Sequence, residues 1–205
     1  MDRPKAFANL RGRPLLGESL ERLEGSDWID AIVLVAPRDW EEPAILVAEE
    51  LGCAKVSASV TGGASRAESV RLGIAEVPED ALVALVHDAA RPFLPAEVVE
   101  RVLTGLADGW DGAVPALPLA DTIKRVDAER VVETLPRDAL VAAQTPQAFV
   151  ASSLREALRG ELEGATDCAA LVERHGGRVR VVAGDPRLLK VTSKADLELV
   201  ETWLS

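Results

Sequence analysis

Short apolar runs that alternate with helix-patterned segments are the feature that most limits the fold of this chain. Ala31–Ala36 and Leu82–Val86 contain only aliphatic side chains and alanine, and such runs predict strands that are buried on both faces. Elsewhere, apolar residues recur at the three- and four-residue spacing that is typical of helices. Strands that alternate with helices over short connections indicate an α/β protein with a doubly wound, mostly parallel sheet.

The same patterns predict where the other elements lie. Helices are expected at 14–23, 41–51, 65–74, 96–107, 150–158, 167–175 and 194–204. Further strands are expected at 55–60, 112–117 and 178–182, and an extended segment at 188–191. No internal repeat or low-complexity linker interrupts this order, so residues 1–205 are expected to form a single domain.

A β-hairpin arm is expected to be inserted into this domain at about residues 120–136. Asp121–Val126 and Arg130–Leu135 are both β-like in pattern, and an Asp-Ala-Glu turn separates them. A lone two-stranded hairpin is only marginally stable in water. The arm is therefore expected to pack against another surface, such as a second subunit.

Charge and composition exclude several classes of protein. The 205 residues carry a formal net charge of −11, which argues against non-specific binding to nucleic acid. No apolar run approaches the roughly 20 residues that a membrane helix needs. Cys53 and Cys168 form neither a CxxC motif nor a Cys/His zinc site. We therefore expect a soluble cytoplasmic protein that binds neither nucleic acid nor membrane.

A segment with two adjacent glycines, residues 61–70, connects a predicted strand to a predicted helix. The glycines let the backbone approach a ligand closely, and the first N–H groups of the helix are free to donate. Ser65 and Glu68 have the spacing of a capping box, which leaves Arg66 and Ser69 without a structural explanation. The glycine patterns of dinucleotide-binding folds and P-loops are both absent.

The segment His87–Phe93, with the sequence HDAARPF, directly follows a predicted buried strand. Ligands of open α/β sheets bind beyond the carboxyl ends of strands, which is where this segment is placed. Asp88 and Arg91 are suited to bind a metal ion and a phosphate respectively, and a salt bridge between them that shapes the loop is the alternative interpretation. His87 is expected to order the loop, because no serine or cysteine partner for catalysis is evident.

Four further segments give weaker signals. Lys5 follows Pro4 just before a predicted helix and is therefore a rigidly placed cation. The other segments are residues 121–124, 135–149 and 188–192. Each contains lysine or arginine residues that are ordinarily solvated at a surface, so none of the four segments indicates a function alone.

Together and in this order, these segments resemble the 2-C-methyl-D-erythritol 4-phosphate cytidylyltransferases of the non-mevalonate isoprenoid pathway. The matching stretches are PKAF, GG..R..SV, VHDAARP, DTIK, R..L…QTPQ.F, TD and LKVT, which span residues 4–192. The resemblance implies a Rossmann-like nucleotidyltransferase fold. It also implies transfer of a cytidylyl group from CTP to a sugar-alcohol phosphate, with release of pyrophosphate and with Mg²⁺ or another divalent cation.

The resemblance also implies roles for individual residues. Lys5 matches the lysine that stabilises charge on the reacting phosphate, Lys190 the lysine near the acceptor phosphate, and Arg137 the arginine that positions the acceptor. The arm is expected to carry Arg137 and Thr122 to the site of the partner subunit in a homodimer. The residues expected at the nucleotide are Gly62, Gly63, Ser69, Asp88 and Ala89. The residues expected near the acceptor are Asp88, Arg91 and Thr122, and Asp88 is also the expected metal ligand.

The chain departs from the pattern of this family at its start. The family opens with a strand and a glycine-rich PAAGxGxR loop that wraps the CTP phosphates, and this sequence begins just beyond that loop. We therefore expect a sequence that starts internally, with two unpaired interior strand edges. A smaller departure is Ala64, where the family often carries an acidic residue.

Two alternatives remain open at this point. Relatives that activate pentitol phosphates such as ribitol 5-phosphate share much of the pattern, whereas the intact HDAARP and DTIK motifs favour the methylerythritol enzyme. A non-catalytic binding module would explain the absent loop, but four retained cleft residues argue against it. These residues are Lys5, Asp88, Arg91 and Lys190.

Overall fold

The computed structural model describes residues 4–203, in which helices and strands alternate as the α/β class requires. The strands are β1 (Asn9–Leu10), β2 (Arg13–Pro14), β3 (Ile32–Ala36), β4 (Val56–Thr61), β5 (Val83–Val86), β6 (Gly112–Pro118), β7 (Ile123–Asp127), β8 (Arg130–Leu135), β9 (Val141–Ala143), β10 (Gln147–Val150) and β11 (Val179–Ala183). The α-helices are α1 (Leu15–Glu24), α2 (Glu41–Glu50), α3 (Arg66–Ala75), α4 (Ala96–Thr104), α5 (Ala151–Arg159), α6 (Cys168–Arg174) and α7 (Lys194–Thr202). Single 3₁₀ turns are formed by Lys5–Phe7, Ala107–Gly109, Arg137–Ala139 and Pro186–Leu188. The predicted end of the last helix, residue 204, lies outside the described residues.

The main sheet is mixed in strand direction. Its strand order is β11–β6–β10–β5, and β9 pairs with the end of β6. β6 and β11 are parallel, whereas β10 runs antiparallel to both of its neighbours and β9 antiparallel to β6. The α/β class and its central sheet are confirmed, but the expected parallel pairing holds only for β6 with β11 and β3 with β4. The difference arises because Gln147–Val150 forms an unpredicted strand between β5 and β6.

Strands β3 and β5 each have one unpaired edge within residues 4–203. β3 pairs only with β4, and β5 pairs only with β10. Val35 and Val83 are each 37% exposed, and Leu82 is 84% exposed. The prediction that both apolar runs are buried on both faces was therefore wrong in part, because a strand without a second neighbour leaves its side chains partly uncovered.

Helices α1 and α3 pack on both β3 and β5, so they hold the two sheets together. On one face, Leu20 packs in a cluster with β3, while Leu23 also reaches the cluster that contains Leu85 of β5. On the other face, Ala67 of α3 packs with β5, and Gly73 lies so close to Val35 of β3 that a Cβ there would be 2.6 Å from the valine Cγ2. The carboxyl ends of both strands face the same part of the molecule, because Ala36 at the end of β3 shares a cluster with Ala89 just after β5.

The largest core lies between the main sheet and the helices α3, α5 and α6. Phe149 and Leu154 are fully buried there among aliphatic side chains of these elements. A second core on the opposite face of the sheet contains Val98 and Val102 of α4 together with Leu188. Helix α4 carries its apolar residues on one stripe, which is why it lies flat on the sheet.

The hairpin arm is formed by β7 and β8, which pair antiparallel with one register shift near Arg125. Ala128 occupies the left-handed region at the turn, with φ of 51°. Val126, Val131 and Val132 are 58%, 54% and 44% exposed, so the arm presents apolar side chains to its surroundings. Lys124 donates to Thr134 across the two strands at 2.7 Å.

None of the helices in residues 4–203 combines the length and the apolarity needed to cross a membrane.

The placement of the core predicts that two leucine-to-alanine substitutions, both in helices, lower the free energy of unfolding by very different amounts. Leu154→Ala in α5 should lower the free energy of unfolding by about 2–5 kcal/mol, because it removes a fully buried side chain and leaves a cavity. Leu46→Ala in α2, where the side chain is 49% exposed, should cost less than about 1 kcal/mol. Urea unfolding of the two variants measures both values. Equal costs would contradict the placement of the core.

Candidate functional site

The carboxylate of Asp88 is the centre of a cluster of three cationic side chains. Its Oδ1 accepts from the Nε of Arg66 at 3.0 Å, and the Nη2 of the same arginine lies at 3.0 Å. Its Oδ2 accepts from the Nζ of Lys190 at 2.8 Å, and the Nε of Arg91 lies 3.8 Å away. The predicted pairing of Asp88 with Arg91 is therefore present, as one member of a larger cluster.

Three distant segments of the chain supply this cluster. Asp88 and Arg91 lie in the loop after β5, and the N–H of Arg91 donates to the carbonyl of Asp88 at 2.9 Å. Arg66 is the first residue of α3, where Ser65 caps the helix. Lys190 follows the turn at residues 186–188, and the next residue, Val191, donates its N–H to the carbonyl of Ala90 at 2.8 Å. Backbone hydrogen bonds thus fix the loop that bears the carboxylate against the segment that bears the lysine.

The cluster is locally cationic in an acidic protein. Three positive side chains surround one carboxylate, whereas the whole chain has a net charge of −11. Burial raises the pKa of Asp88, but Arg66 and Lys190 outweigh that effect and hold it below its ordinary value. Lys190 remains 42% exposed and Arg66 30% exposed, so both can meet an anion from the solvent side. Such an arrangement is suited to phosphate groups.

The ring of His87 lies beneath the same loop. Its Nε2 is 3.1 Å from the carbonyl oxygen of Arg91. Desolvation of the ring lowers the pKa of His87 to about 4, so the imidazole is neutral at pH 7. This geometry agrees with the expected role of His87 in ordering the loop.

The glycine-containing segment borders an open cleft of about 710 Å³. The cleft is lined by residues that include Pro37, Arg38, Thr61, Gly62, Gly63 and Glu68. A Cβ on either glycine would come within 3.0 Å of Ser69 or Glu68, so the close packing of this loop depends on their small size.

The polar residues of this segment are used to hold its own backbone. The hydroxyl of Ser69 accepts from the N–H of Gly63 at 3.1 Å and donates to the carbonyl of Ser65 at 2.9 Å. The predicted capping box is formed only in half: Ser65 accepts from the N–H of Glu68, but the Glu68 carboxylate accepts from the N–H of Ala64 at 2.8 Å. The loop turns so that the Ala64 N–H, rather than that of the cap residue, faces the glutamate.

The residues of this site do not fit the metal-binding role expected of Asp88. Both carboxylate oxygens are already paired with cations. Within residues 4–203 there is no group of three His, Cys, Asp or Glu side chains that is arranged to hold a metal ion. We therefore derive no chemical step through a protein-bound metal.

The structure brings some of the predicted residues together and leaves others apart. Lys5 is exposed at the start of a 3₁₀ turn, and the following Ala6 packs in the same cluster as Ala89. Arg137 donates to the carbonyl of Ala120 at the base of the arm, and Thr122 is exposed nearby. Within one chain, Arg137 and Thr122 are therefore arm residues that make no hydrogen bond or ion pair with the Asp88 cluster.

Sequence reasoning missed one partner of Asp88, Arg66, and one buried hydrogen bond outside the Asp88 cluster. Arg66 had no predicted role, although its position three residues after Gly63 at the start of a helix was a usable signal. Gln147 is 1% exposed and donates to Asp167 at 2.8 Å, and Asp167 in turn caps α6 by accepting from the N–H of Ala170. Gln147 and Asp167 lie in the stretches QTPQ.F and TD, and Arg66 lies in GG..R..SV; all three stretches carried the resemblance.

Comparison with known proteins points to one family. The model of the IspD family, 2-C-methyl-D-erythritol 4-phosphate cytidylyltransferase, matches residues 1–205. The Nocardia farcinica protein of that name is 44% identical over 202 residues, covering 98% of this chain and 86% of the relative. A crystal structure of a 4-diphosphocytidyl-2C-methyl-D-erythritol synthase is similar with a TM-score of 0.87 at 33% identity, covering 98% of this chain and 94% of the other. The 2-C-methyl-D-erythritol 4-phosphate cytidylyltransferase from Thermus thermophilus has a TM-score of 0.83 at 34% identity, with the same coverage.

The central carboxylate predicts a measurable contribution to stability. Asp88→Asn should lower the free energy of unfolding at pH 7 by about 2 kcal/mol, because it leaves Arg66 and Lys190 without an anionic partner. This value is below that of a fully buried pair because Lys190 is 42% exposed and screened by water. Urea unfolding measures it, with Asp80→Asn at an exposed position as the control, expected to stay within about 0.5 kcal/mol.

The wild type and Asp88→Asn also test how the stabilisation by Asp88 depends on pH. The folded-state pKa of Asp88 is lowered, so its stabilisation is complete well above the unfolded pKa of about 3.9 and is lost as the pH falls through the folded value. The stability difference between wild type and Asp88→Asn should therefore shrink as the pH is lowered below about 5. A difference that grows on acidification would contradict this electrostatic account.

Proposed function

The chain belongs to the 2-C-methyl-D-erythritol 4-phosphate cytidylyltransferase family, and from that premise we propose that it transfers a cytidylyl group from CTP to 2-C-methyl-D-erythritol 4-phosphate. In this reaction a phosphate oxygen of the acceptor attacks the α-phosphorus of CTP. The bond from that phosphorus to the bridging oxygen breaks, and pyrophosphate leaves. CDP-methylerythritol is the second product.

The observation that carries this proposal is the cationic cluster around Asp88 at the end of β5. Two highly anionic substrates must approach each other, and transfer of a phosphoryl-type group depends mainly on alignment and on neutralisation of charge. Asp88 holds Arg66, Arg91 and Lys190 close together without cancelling their charge. These side chains would lower the repulsion between the substrates and orient the attacking phosphate.

Individual roles follow from the position of each residue. We assign Lys5 to the charge that develops on the reacting phosphate, since its neighbour Ala6 shares a cluster with Ala89 of the loop. We assign Lys190 to the acceptor phosphate. The exposed ammonium of Lys190 and its hydrogen bond to Asp88 support this role, because the bond fixes its position.

The cytosine and ribose are proposed to occupy the cleft beside Gly62 and Gly63. Both glycines line this cleft, so a flat base would lie against a stretch of the chain that carries no side chain at either position. Ser69 would act by holding the N–H of Gly63, and Asp88 and Ala89 would border the ribose.

We further propose that the enzyme is a homodimer in which the arm completes the site of the partner subunit. Thr122 and Arg137 lie on or beside the arm and do not pair with the Asp88 cluster of their own chain. The exposed valines of β7 and β8 supply an apolar surface for a second copy. In that arrangement Arg137 would position the acceptor from across the subunit boundary.

The same proposal includes the divalent cation, the cellular location and the kind of partner of this enzyme. We propose Mg²⁺ as the divalent cation that accompanies the triphosphate, on the ground of the family alone. A cytoplasmic location is supported by Cys53 and Cys168, which are both free thiols. The net charge of −11 supports small anionic substrates at a local cationic site rather than nucleic acid or an anionic membrane as partner.

The direct test is pyrophosphate release from CTP by the 205-residue chain in the presence of Mg²⁺. We expect release with methylerythritol 4-phosphate and at least about tenfold less with ribitol 5-phosphate, because Arg137 and the arm are assigned to the first acceptor. Release only with ribitol 5-phosphate would transfer the proposal to the pentitol phosphate enzymes. Silence with both acceptors would contradict the catalytic proposal for this chain and favour a binding module.

Mixed dimers test the shared site. Arg137→Ala should raise the KM for the acceptor about 10- to 100-fold, the effect of losing one charged hydrogen bond, and should leave the affinity for CTP nearly unchanged. Mixing this variant with Lys5→Ala should restore activity, since one of the two sites in each mixed dimer is then intact. Arg159→Ala, on an arginine side chain that is 76% exposed, is the control and should have no effect. Absence of recovery after verified subunit exchange would contradict the shared site.

A further inference from the structure

A chain of three hydrogen bonds runs beneath the loop that carries Asp88 and Arg91. The N–H of Asp88 donates to the hydroxyl oxygen of Thr145 at 3.0 Å. That hydroxyl oxygen lies 3.3 Å from the Nδ1 of His87, and the Nε2 of His87 lies 3.1 Å from the carbonyl oxygen of Arg91. This series of hydrogen bonds therefore begins at the backbone N–H of Asp88 and ends at the backbone carbonyl of Arg91, the two residues that flank the turn.

Only one assignment of protons satisfies all three contacts. The carbonyl of Arg91 can only accept, so the Nε2 of His87 carries the proton. The Nδ1 of the neutral ring then has a free lone pair, which accepts the hydroxyl proton of Thr145. The Thr145 oxygen still has a lone pair for the N–H of Asp88. Each donor and each acceptor in the chain is thus used once.

Burial makes this chain hard to replace with water. Thr145 is only 4% exposed, so its hydroxyl cannot turn to the solvent. The hydroxyl of Ser19 on α1 reaches the same carbonyl of Arg91 at 3.2 Å, which fixes the end of the turn from a second side. A buried donor or acceptor that loses its partner is costly, so the turn is held in one conformation.

We propose that His87 and Thr145 are positioning residues for this site, with His87 held as the Nε2–H tautomer between the carbonyl of Arg91 and the hydroxyl of Thr145. In this form the pair fixes the backbone of Asp88 and Arg91, and thereby the direction in which their side chains meet the acceptor phosphate. The catalytic part of this inference rests on the proposed function, whereas the tautomer does not.

The competing interpretation is that both side chains only fill space. Two substitutions at one position distinguish the interpretations. Thr145→Val keeps the volume and branching of the side chain but removes the hydroxyl, and Thr145→Ser keeps the hydroxyl but removes a methyl group. If the hydrogen bond is what matters, the serine variant behaves like the wild type and the valine variant does not.

The first experiment measures the tautomer by NMR of protein labelled with ¹⁵N in its two histidines. His175 is an internal reference, since its Nδ1 lies 3.0 Å from the carbonyl oxygen of Leu171 and is expected to carry the proton. At a pH of about 7.5, well above the ordinary histidine pKa, we expect the Nε2–H form for His87. This form should be retained in both Thr145→Ser and Thr145→Val, because the carbonyl of Arg91 still accepts from Nε2. Only in Thr145→Val should the resonance of Nδ1 move, because that nitrogen loses the hydroxyl proton that it accepts. A predominant Nδ1–H form of His87 in the wild type would overturn the inference, whatever reaction the protein catalyses.

The second experiment measures pyrophosphate release by the same proteins. Thr145→Val should lower kcat/KM for the acceptor on the order of tenfold to a hundredfold, with unfolding still cooperative. Thr145→Ser should stay within about threefold of the wild type. Equal activity of the two variants would overturn the positioning role. Failure of the proposed function is a different result, because in that case the wild type itself would release no pyrophosphate.

Discussion

One carboxylate, that of Asp88, is the point at which the separate parts of this molecule are joined electrostatically. Without it, two arginines and a lysine from three distant segments would repel one another at the edge of the sheet. With it, the start of α3, the loop after β5 and the segment before α7 converge on one place. The helices α1 and α3 make this convergence possible, because they hold β3 and β5 in fixed relation although the two strands are not paired.

Local pattern predicted most elements because the periodicity of apolar residues is a local property. The helices and most strands follow from it within a few residues. The antiparallel strand β10 does not, since four residues with the sequence QAFV indicate neither a direction nor a neighbour. The exposure of Val35 and Val83 could not follow from pattern either, because burial of a strand depends on which other strands lie beside it.

The site was predictable to a similar extent. The rule that ligands bind beyond the carboxyl ends of strands located Asp88 and Arg91 correctly at the end of β5. Their partner Arg66 was noticed but not placed, because only the tertiary structure shows that the start of α3 reaches this loop. The hydrogen bonds of Ser69 were equally beyond the sequence: its hydroxyl accepts from the N–H of Gly63 and donates to the carbonyl of Ser65, while its expected place beside the nucleotide stays a prediction.

In the part of the chain that the structure describes, β3 and β5 each have one unpaired edge, which bears on how copies of this protein behave at high concentration. An open strand edge is a template on which another chain can pair, and natural sheets usually protect such edges with charge, proline or a cover. Val35 and Val83 on these strands are each 37% exposed, while molecules that each bear a formal charge of −11 repel one another. Salt screens that repulsion over about 10 Å at about 0.1 M, whereas it leaves backbone pairing intact. Copies of this protein are therefore expected to associate more readily as the salt concentration rises.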